Sequence, residues 1–198
     1  MTKEALLIFA KNPEKGKVKT RLAATIGNEA ALAVYTQLLS HTVAITGNLP
    51  MDKFVFYSSR IECEDVWDDK PYFKQLQKGN DLGERMNNAF AASFKKGYDS
   101  VVIIGTDCPE LDEATIMNAF ACLHFNDVVI GPAEDGGYYL LGMKQLHSTL
   151  FENIRWSTPT VLAETIEICK SHNLTYTLLP TLHDVDEEKD LSHLNVKV

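Results

Sequence analysis

No apolar run in this chain is long enough to span a membrane, and no hydrophobic leader stands at its N-terminus. Cysteine is sparse and unpaired. Cys63, Cys108, Cys122 and Cys169 lie far apart with no Cys-x-x-Cys spacing, which argues against a zinc knot or a disulfide framework and fits a reducing, cytoplasmic setting. The six histidines show no metal-ligand spacing. Basic residues are short in supply: 19 Lys and Arg stand against 27 Asp and Glu, a net charge of −8. Such a chain is a poor binder of nucleic acid or of anionic membranes. There are no repeats and no linker rich in Pro, Gly or Ser, so residues 1–198 read as one domain. A Walker loop and a Gly-x-Gly-x-x-Gly turn are both missing.

What is present is an alternation of short apolar runs with helical patterns. Strands are expected at Ala5 to Ala10, Lys53 to Ser59, Tyr72 to Gln77, Ser100 to Gly105, Asp127 to Gly131, Tyr138 to Met143 and Leu174 to Leu179. Between them, Asn28, Asp81 and Asp112 are placed to cap helices, and Thr158-Pro159 is a helix start signal. Leu82, Met86, Ala89, Phe90 and Phe94 would share one face of the helix capped by Asp81, and Ile116, Ala119, Phe120 and Leu123 one face of the next. The pattern predicts a mostly parallel sheet with helices on both faces. Glu134 to Met143 runs from strand to glycine pair to strand with no helix, which suggests an antiparallel excursion.

The sharpest signal is Val101-Val102-Ile103-Ile104-Gly105-Thr106-Asp107-Cys108-Pro109. A strand buried on both faces stops at a glycine, and a carboxylate follows at once. In open α/β sheets ligands bind just outside the carboxyl ends of the strands, so Asp107 is a candidate ligand for a hard divalent ion, or else a turn residue. Cys108 beside it is either a nucleophile or a small buried apolar residue. After the first strand come Lys11, Lys15, Lys17, Lys19 and Arg21, opposed only by Glu14. With Gly16 to allow close approach and a short helix opening at Lys19, this loop reads as a diphosphate or triphosphate cradle. A solvated basic loop is the plainer alternative.

A second acidic cluster, His183-Asp184-Val185-Asp186-Glu187-Glu188-Lys189-Asp190-Leu191, follows the last strand. Asp186 is placed to cap a short helix through Leu194. Asp107 together with Asp186, or with Asp184, would supply the carboxylates that a diphosphate-bound ion needs. The adjacent Gly136 and Gly137 allow close backbone approach, and Asp135 before them could accept a hydroxyl proton; an Asp-Gly hairpin turn explains the same residues. Asn80, Asp81 and Gly83 form another candidate ligand loop. Trp156 and Tyr138 are candidate acceptor contacts, with Ser157 and Thr158 beside them, and His183 a candidate phosphate contact.

These motifs together resemble the glycosyltransferase-A superfamily of nucleotide-diphospho-sugar transferases, most closely the radical-SAM/selenodomain-associated transferase 1 family. The resemblance rests on Ile8-Phe9-Ala10-Lys11-x-Pro13-x-x-Gly16-x-Val18-Lys19-Thr20-Arg21-Leu22, Gly105-Thr106-Asp107-Cys108-Pro109-x-Leu111, Gly131 to Gly142 and Asp184-Val185-Asp186-x-x-x-Asp190-Leu191. It implies a Rossmann-like three-layer α/β/α sandwich with a mostly parallel central sheet, a nucleotide over the first loop and a Mg²⁺ or Mn²⁺ ion on Asp107, shared with a late carboxylate that Asp186 matches best. The expected reaction is metal-dependent transfer from a nucleotide-sugar to a small acceptor. Asp107, Lys19, Arg21 and Asp135 would be catalytic. Lys11, Gly16, Lys17, Asn80, Asp81 and Gly83 would join Lys19 and Arg21 around the nucleotide, and Asp135, Gly136, Gly137, Tyr138 and Trp156 would receive the acceptor. Two rivals stand beside it. The single Asp of Thr106-Asp107-Cys108-Pro109 resembles nucleotidyltransferases, which take an NTP and release pyrophosphate. The missing Asp-x-Asp pair and Gly-Gly loop leave room for a nucleotide-binding module without turnover.

Overall fold

Strands form where β-branched and aromatic residues cluster, each within two residues of its expected ends: β1 Glu4–Ala10, β2 Asp52–Tyr57, β3 Tyr72–Leu76, β4 Ser100–Ile104, β5 Val128–Pro132, β6 Tyr138–Met143 and β7 Tyr176–Leu178. The computed structural model describes residues 2–68 and 71–194. Its sheet has the order β3-β2-β1-β4-β6-β5-β7. Every pairing is parallel except those of β6, which runs antiparallel to both β4 and β5. This is the excursion suggested by the segment from Glu134 to Met143.

The helices are α1 Thr20–Ile26, α2 Asn28–Thr46, α3 Leu82–Lys95, α4 Glu113–Leu123 and α5 Val161–Ser171. Alternate residues of β1 serve opposite layers. Leu6, Ile8 and Ala10 pack with Tyr35 and Leu39 of α2 and with Ile116 and Phe120 of α4. Ala5 and Leu7 pack with Met86 and Phe90 of α3 and with Cys169 of α5. Full burial of each large apolar side chain contributes roughly 1.5–3 kcal/mol, so this two-sided sandwich is the main source of stability.

The capping expectations hold in part. Asp81 accepts from the Glu84 N–H and Asp112 from the Thr115 N–H, as placed. Asn28 is instead the first helical residue, with Gly27 at the cap position. Helix α5 begins at Val161, after Thr160, because Thr158 and Thr160 bond to each other before the helix starts. Leu82 is 43% exposed, at the cavity mouth rather than on the packed face. Asp186 does not cap the short 3-10 helix Glu188–His193; Glu187 does, in a reciprocal box with Asp190.

The sheet ends at β7, which is short and held by side chains. Asp127, just before β5, accepts from the Thr175 N–H at 2.8 Å and from the Thr175 hydroxyl at 2.7 Å, and pairs with Lys144 at 3.2 Å. These bonds, those of Thr175 foremost, pull its carboxyl down to about 2. The lowered value stabilises the fold above the unfolded carboxyl range, and the contribution is lost as pH falls toward about 2. Asp127→Ala is expected to cost about 1–3 kcal/mol at pH 7. Urea denaturation at pH 7 and at acidic pH checks this: the gap from wild type should narrow as the medium is acidified.

Candidate active site

The strand order reverses direction between β1 and β4, and a cavity of about 470 Å³ opens at the carboxyl ends of these strands. Its walls include Ala10 and Lys11 after β1, Gly105 to Cys108 after β4, and Asn80, Asp81 and Arg85 at the start of α3. Because β6 is reversed, its first residues, Tyr138 and Tyr139, stand at this same edge. The Tyr35 hydroxyl closes the floor between the two strands. It accepts from the Lys11 N–H at 2.8 Å and lies 3.0 Å from the Lys11 carbonyl and 3.3 Å from the Thr106 hydroxyl.

Three distant segments meet beside the cavity. The Lys19 side chain is 4% exposed and its ammonium lies 2.5 Å from Asp107 and 3.3 Å from Asp186. Burial alone would push this ammonium down, but Asp107 and Asp186 outweigh it and hold the group above its ordinary value, so it stays charged. Lys19 has a left-handed backbone, φ 48° and ψ 46°, which is costly for a residue with a Cβ. Arg21 binds the other oxygen of Asp186. The chain after β7 is stitched to the loop after β4 by the Val185 N–H, which donates to the Asp107 carbonyl at 2.9 Å.

That stitch places Asp184 on the cavity wall. Burial, and then the neighbouring Asp107 and Asp135 carboxylates, push its carboxyl up to about 7, with Lys19 opposing. Among the described residues no cation pairs with it, whereas Asp186 is taken up by Lys19 and Arg21. Four carboxylates, Asp107, Asp135, Asp184 and Asp186, therefore face two contacting cations. This excess of negative oxygen ligands fits a hard divalent ion, and Asp107 with Asp184 is the pair that faces the cavity.

The other expected residues divide. Lys11, Asn80, Asp81 and Tyr138 line the main cavity. Lys11, Lys19 and Arg21 line a smaller recess of about 150 Å³ next to it. Lys15 and Lys17 turn outward to Glu29 and Glu14, and Gly16 serves the turn between them with φ +76°. Asp135 accepts from the Gly137 N–H at 2.8 Å and lines a separate concavity with Arg21, His183 and Asp184. Gly83 is a close-packing position, since a Cβ there would lie 2.3 Å from the Trp156 indole nitrogen. Likewise a Cβ on Gly136 would lie 2.2 Å from the Pro159 carbonyl oxygen. Trp156 does not reach the cavity wall; it packs against Phe151 and edge-on to Tyr138 behind it, while Ser157 lines the cavity. Burial pushes the Cys108 thiol up to about 12, which disfavours the thiolate, and the side chain lines the cavity as a small buried wall residue.

Two residues carry structure here that sequence reasoning missed. Asn12 is buried, and its side chain accepts from the Ser59 N–H and hydroxyl and donates to the Arg60 carbonyl, which locks the loop after β1 to that after β2. Arg85 donates to the Gly79 carbonyl at 3.1 Å and offers a cation to the cavity. A cation in the first turns of a helix opposes the macrodipole, and that mismatch was the available signal.

The mostly parallel sheet with one reversed strand, and the cavity at its switch point, define the α/β class of nucleotide-diphospho-sugar transferase and cytidylyltransferase structures. Residues 32–158 match the family described as "Uncharacterized protein conserved in bacteria (DUF2064)", and the chain belongs to that family. Among solved structures it is similar to a candidate nucleotide-diphospho-sugar transferase from Desulfovibrio desulfuricans G20, with a TM-score of 0.91 and 34% identity over 98% of this chain and 87% of that one. The fold is shared with 4-diphosphocytidyl-2C-methyl-D-erythritol synthase from Anaerococcus prevotii DSM 20548, at TM-score 0.60 and 10% identity over 98% and 95% of the two chains. It is also shared with Rv0371C from Mycobacterium tuberculosis H37Rv in complex with manganese, at TM-score 0.58 and 12% identity over 100% of both. Among curated proteins none matches the chain.

The packing of Gly83 on Trp156 makes a test of the cavity's rear wall. Gly83→Ala should displace the indole and lower stability by about 1–3 kcal/mol, despite alanine's better helix propensity. Trp67 sits in the opposite core layer, so a changed tryptophan emission spectrum reports Trp156. Unchanged emission and unchanged thermal stability would contradict the packing role.

Proposed function

We propose that this protein is a metal-dependent transferase acting on a nucleotide-activated donor, with a nucleotide-sugar as donor and a small molecule as acceptor. The observation that carries the reading is the convergence of Asp107, Asp184, Lys19 and Arg21 on one rim of the cavity. The nucleotide lies in the cavity between Lys11 and Arg85, and its diphosphate reaches toward the recess lined by Lys19 and Arg21. Asp107 and Asp184 would hold a Mg²⁺ or Mn²⁺ ion, which would supply positive charge to neutralise the departing diphosphate. Asp186 keeps Lys19 and Arg21 aimed at that charge. Fixed cations at the place where negative charge develops are usually the largest catalytic contribution. The acceptor enters from the side of Asp135, Gly137 and Tyr138, where the Gly137 N–H fixes one Asp135 oxygen and the carboxylate takes the hydroxyl proton. The similarity to the Desulfovibrio protein supports this donor class. No helix of the described residues is long and apolar enough to cross a membrane, and the cysteines are free, which accords with work in the cytoplasm.

A second reading keeps the site and breaks a different bond. The metal pair comes from two loops, Asp107 and Asp184, rather than from one Asp-x-Asp segment, which favours nucleotidyl transfer from an NTP to a phosphorylated small molecule. The products decide between them: a nucleoside diphosphate for the first, pyrophosphate for the second.

A thermal-shift panel of nucleotides and sugar nucleotides with and without Mn²⁺, followed by product assay of the binders, tests both. Binding should require the ion, and EDTA should abolish turnover. Asp107→Asn and Lys19→Met should each lower kcat by about 10²–10³-fold. Full turnover by Asp107→Asn would overturn the metal-dependent mechanism, and nucleotide binding indifferent to Mn²⁺ with no turnover of any donor would overturn the enzyme reading in favour of a binding module.

A further inference from the structure

Behind the Asp107 loop, three residues from three segments meet without any part in the proposed transfer. Glu110 follows β4, His183 precedes Asp184, and His193 ends the last 3-10 helix. The two imidazoles stack, centroids 3.9 Å apart and 12° from parallel. His183 Nδ1 lies 3.0 Å from Glu110 Oε2, and His193 Nδ1 lies 3.2 Å from Glu110 Oε1. One ligand atom from each of the three lies within 4.8 Å of the others.

We propose that Glu110, His183 and His193 form a second metal site, for a divalent transition ion of the zinc class. Such an ion binds imidazole nitrogen and carboxylate oxygen at about 2.0–2.2 Å, which sets tetrahedral ligand atoms about 3.3–3.5 Å apart. The carboxylate–imidazole separations, 3.0 and 3.2 Å and each to a different Glu110 oxygen, approach that edge, and one ring must turn out of the stack for both nitrogens to meet a single ion. The side chains are 29%, 38% and 30% exposed, so the group opens to solvent on one side, where water completes the coordination. The hydrogen bonds from His183 and His193 outweigh burial and hold the Glu110 carboxyl below its usual value. The His183 N–H also donates to Glu110 Oε2 at 3.0 Å and orients the carboxylate. On binding, each imidazole presents an unprotonated Nδ1 to the ion in place of its hydrogen bond to Glu110. Imidazole selects Zn²⁺, Co²⁺ or Ni²⁺ over Mg²⁺, in contrast to the all-oxygen pair of Asp107 and Asp184.

The ion would act as a clamp. Glu110 belongs to the loop that carries Asp107, and His183 and His193 bracket the segment that carries Asp184 and Asp186. Holding the three together fixes the two acid-bearing segments against each other without touching substrate. The site therefore stands or falls separately from the transferase reading.

The test uses full-length protein stripped with chelator and dialysed against Co²⁺ or Zn²⁺ with excess Mg²⁺. Wild type should take up one ion per chain, show the visible ligand-field bands of Co²⁺ held by nitrogen and oxygen, and gain thermal stability from it. His193→Gln, at the partly exposed chain end, should weaken uptake at least tenfold and lose both signals, and His183→Gln should do the same. Asp107→Asn should retain them. A wild-type chain that takes up neither ion overturns the proposal and leaves a hydrogen-bonded Glu–His–His trio, whatever the variants do. So does uptake that survives in His193→Gln, or uptake that is lost in Asp107→Asn and kept in His193→Gln.

Discussion

The buried ammonium of Lys19 is the constraint on which the arrangement of the site depends. It belongs to the loop after β1, yet its partners are Asp107 after β4 and Asp186 after β7. A charge with 4% of its side chain exposed is tolerable only where paired, and removing a partner from a buried pair is commonly costly. The left-handed backbone at Lys19 is the local cost of aiming the side chain inward, of order 1–2 kcal/mol. With Asp186 occupied by Lys19 and Arg21, Asp184 is the acid left to face the cavity without a cation. The same interaction thus explains why one acid of the Asp-Val-Asp segment is paired and its neighbour is not, and burial, Asp107 and Asp135 then raise the neighbour's carboxyl against Lys19.

Much of the fold was legible because its signals are local. Apolar runs bounded by glycine, proline and acids gave the strands within two residues, and Asp81 and Asp112 could be placed as caps because Asx capping involves only the next three residues. The place of Asp107 on the cavity wall was legible because a strand end is a local event and the sheet edge follows from strand direction. The failures are equally physical. A run of lysines reads the same whether its charges face a cavity or each other's counter-ions, and Lys15 and Lys17 proved to have Glu29 and Glu14. A glycine says only that a Cβ is missing. At Gly83 and Gly136 the space is taken by Trp156 and Pro159, not by a ligand. The contact of Lys19 with Asp186 was not legible, since no spacing reveals that a lysine 167 residues away will reach one of the two acids. The Glu110, His183 and His193 trio was invisible for the same reason.

The reversed strand β6 supplies the last step of the architecture. An all-parallel continuation after β5 would place a helix where the Asp135–Gly137 turn now stands, and the edge beyond β4 would be covered. Reversal instead returns the chain in a tight turn and delivers Tyr138 to the ligand edge. It also leaves the exit of β5 free to bind the segment after β7. The Leu182 N–H donates to the Pro132 carbonyl and the Glu134 N–H to the Leu182 carbonyl, and three residues on the Val185 N–H donates to the Asp107 carbonyl. The segment is fastened first to the exit of β5 and then to the exit of β4, and Asp184 lies between the two fastenings. Its carboxyl therefore senses Asp135 on one side and Asp107 on the other. In the proposed reaction this order sets donor and acceptor on opposite sides of one carboxylate, so the geometry of transfer follows from where the backbone is stitched.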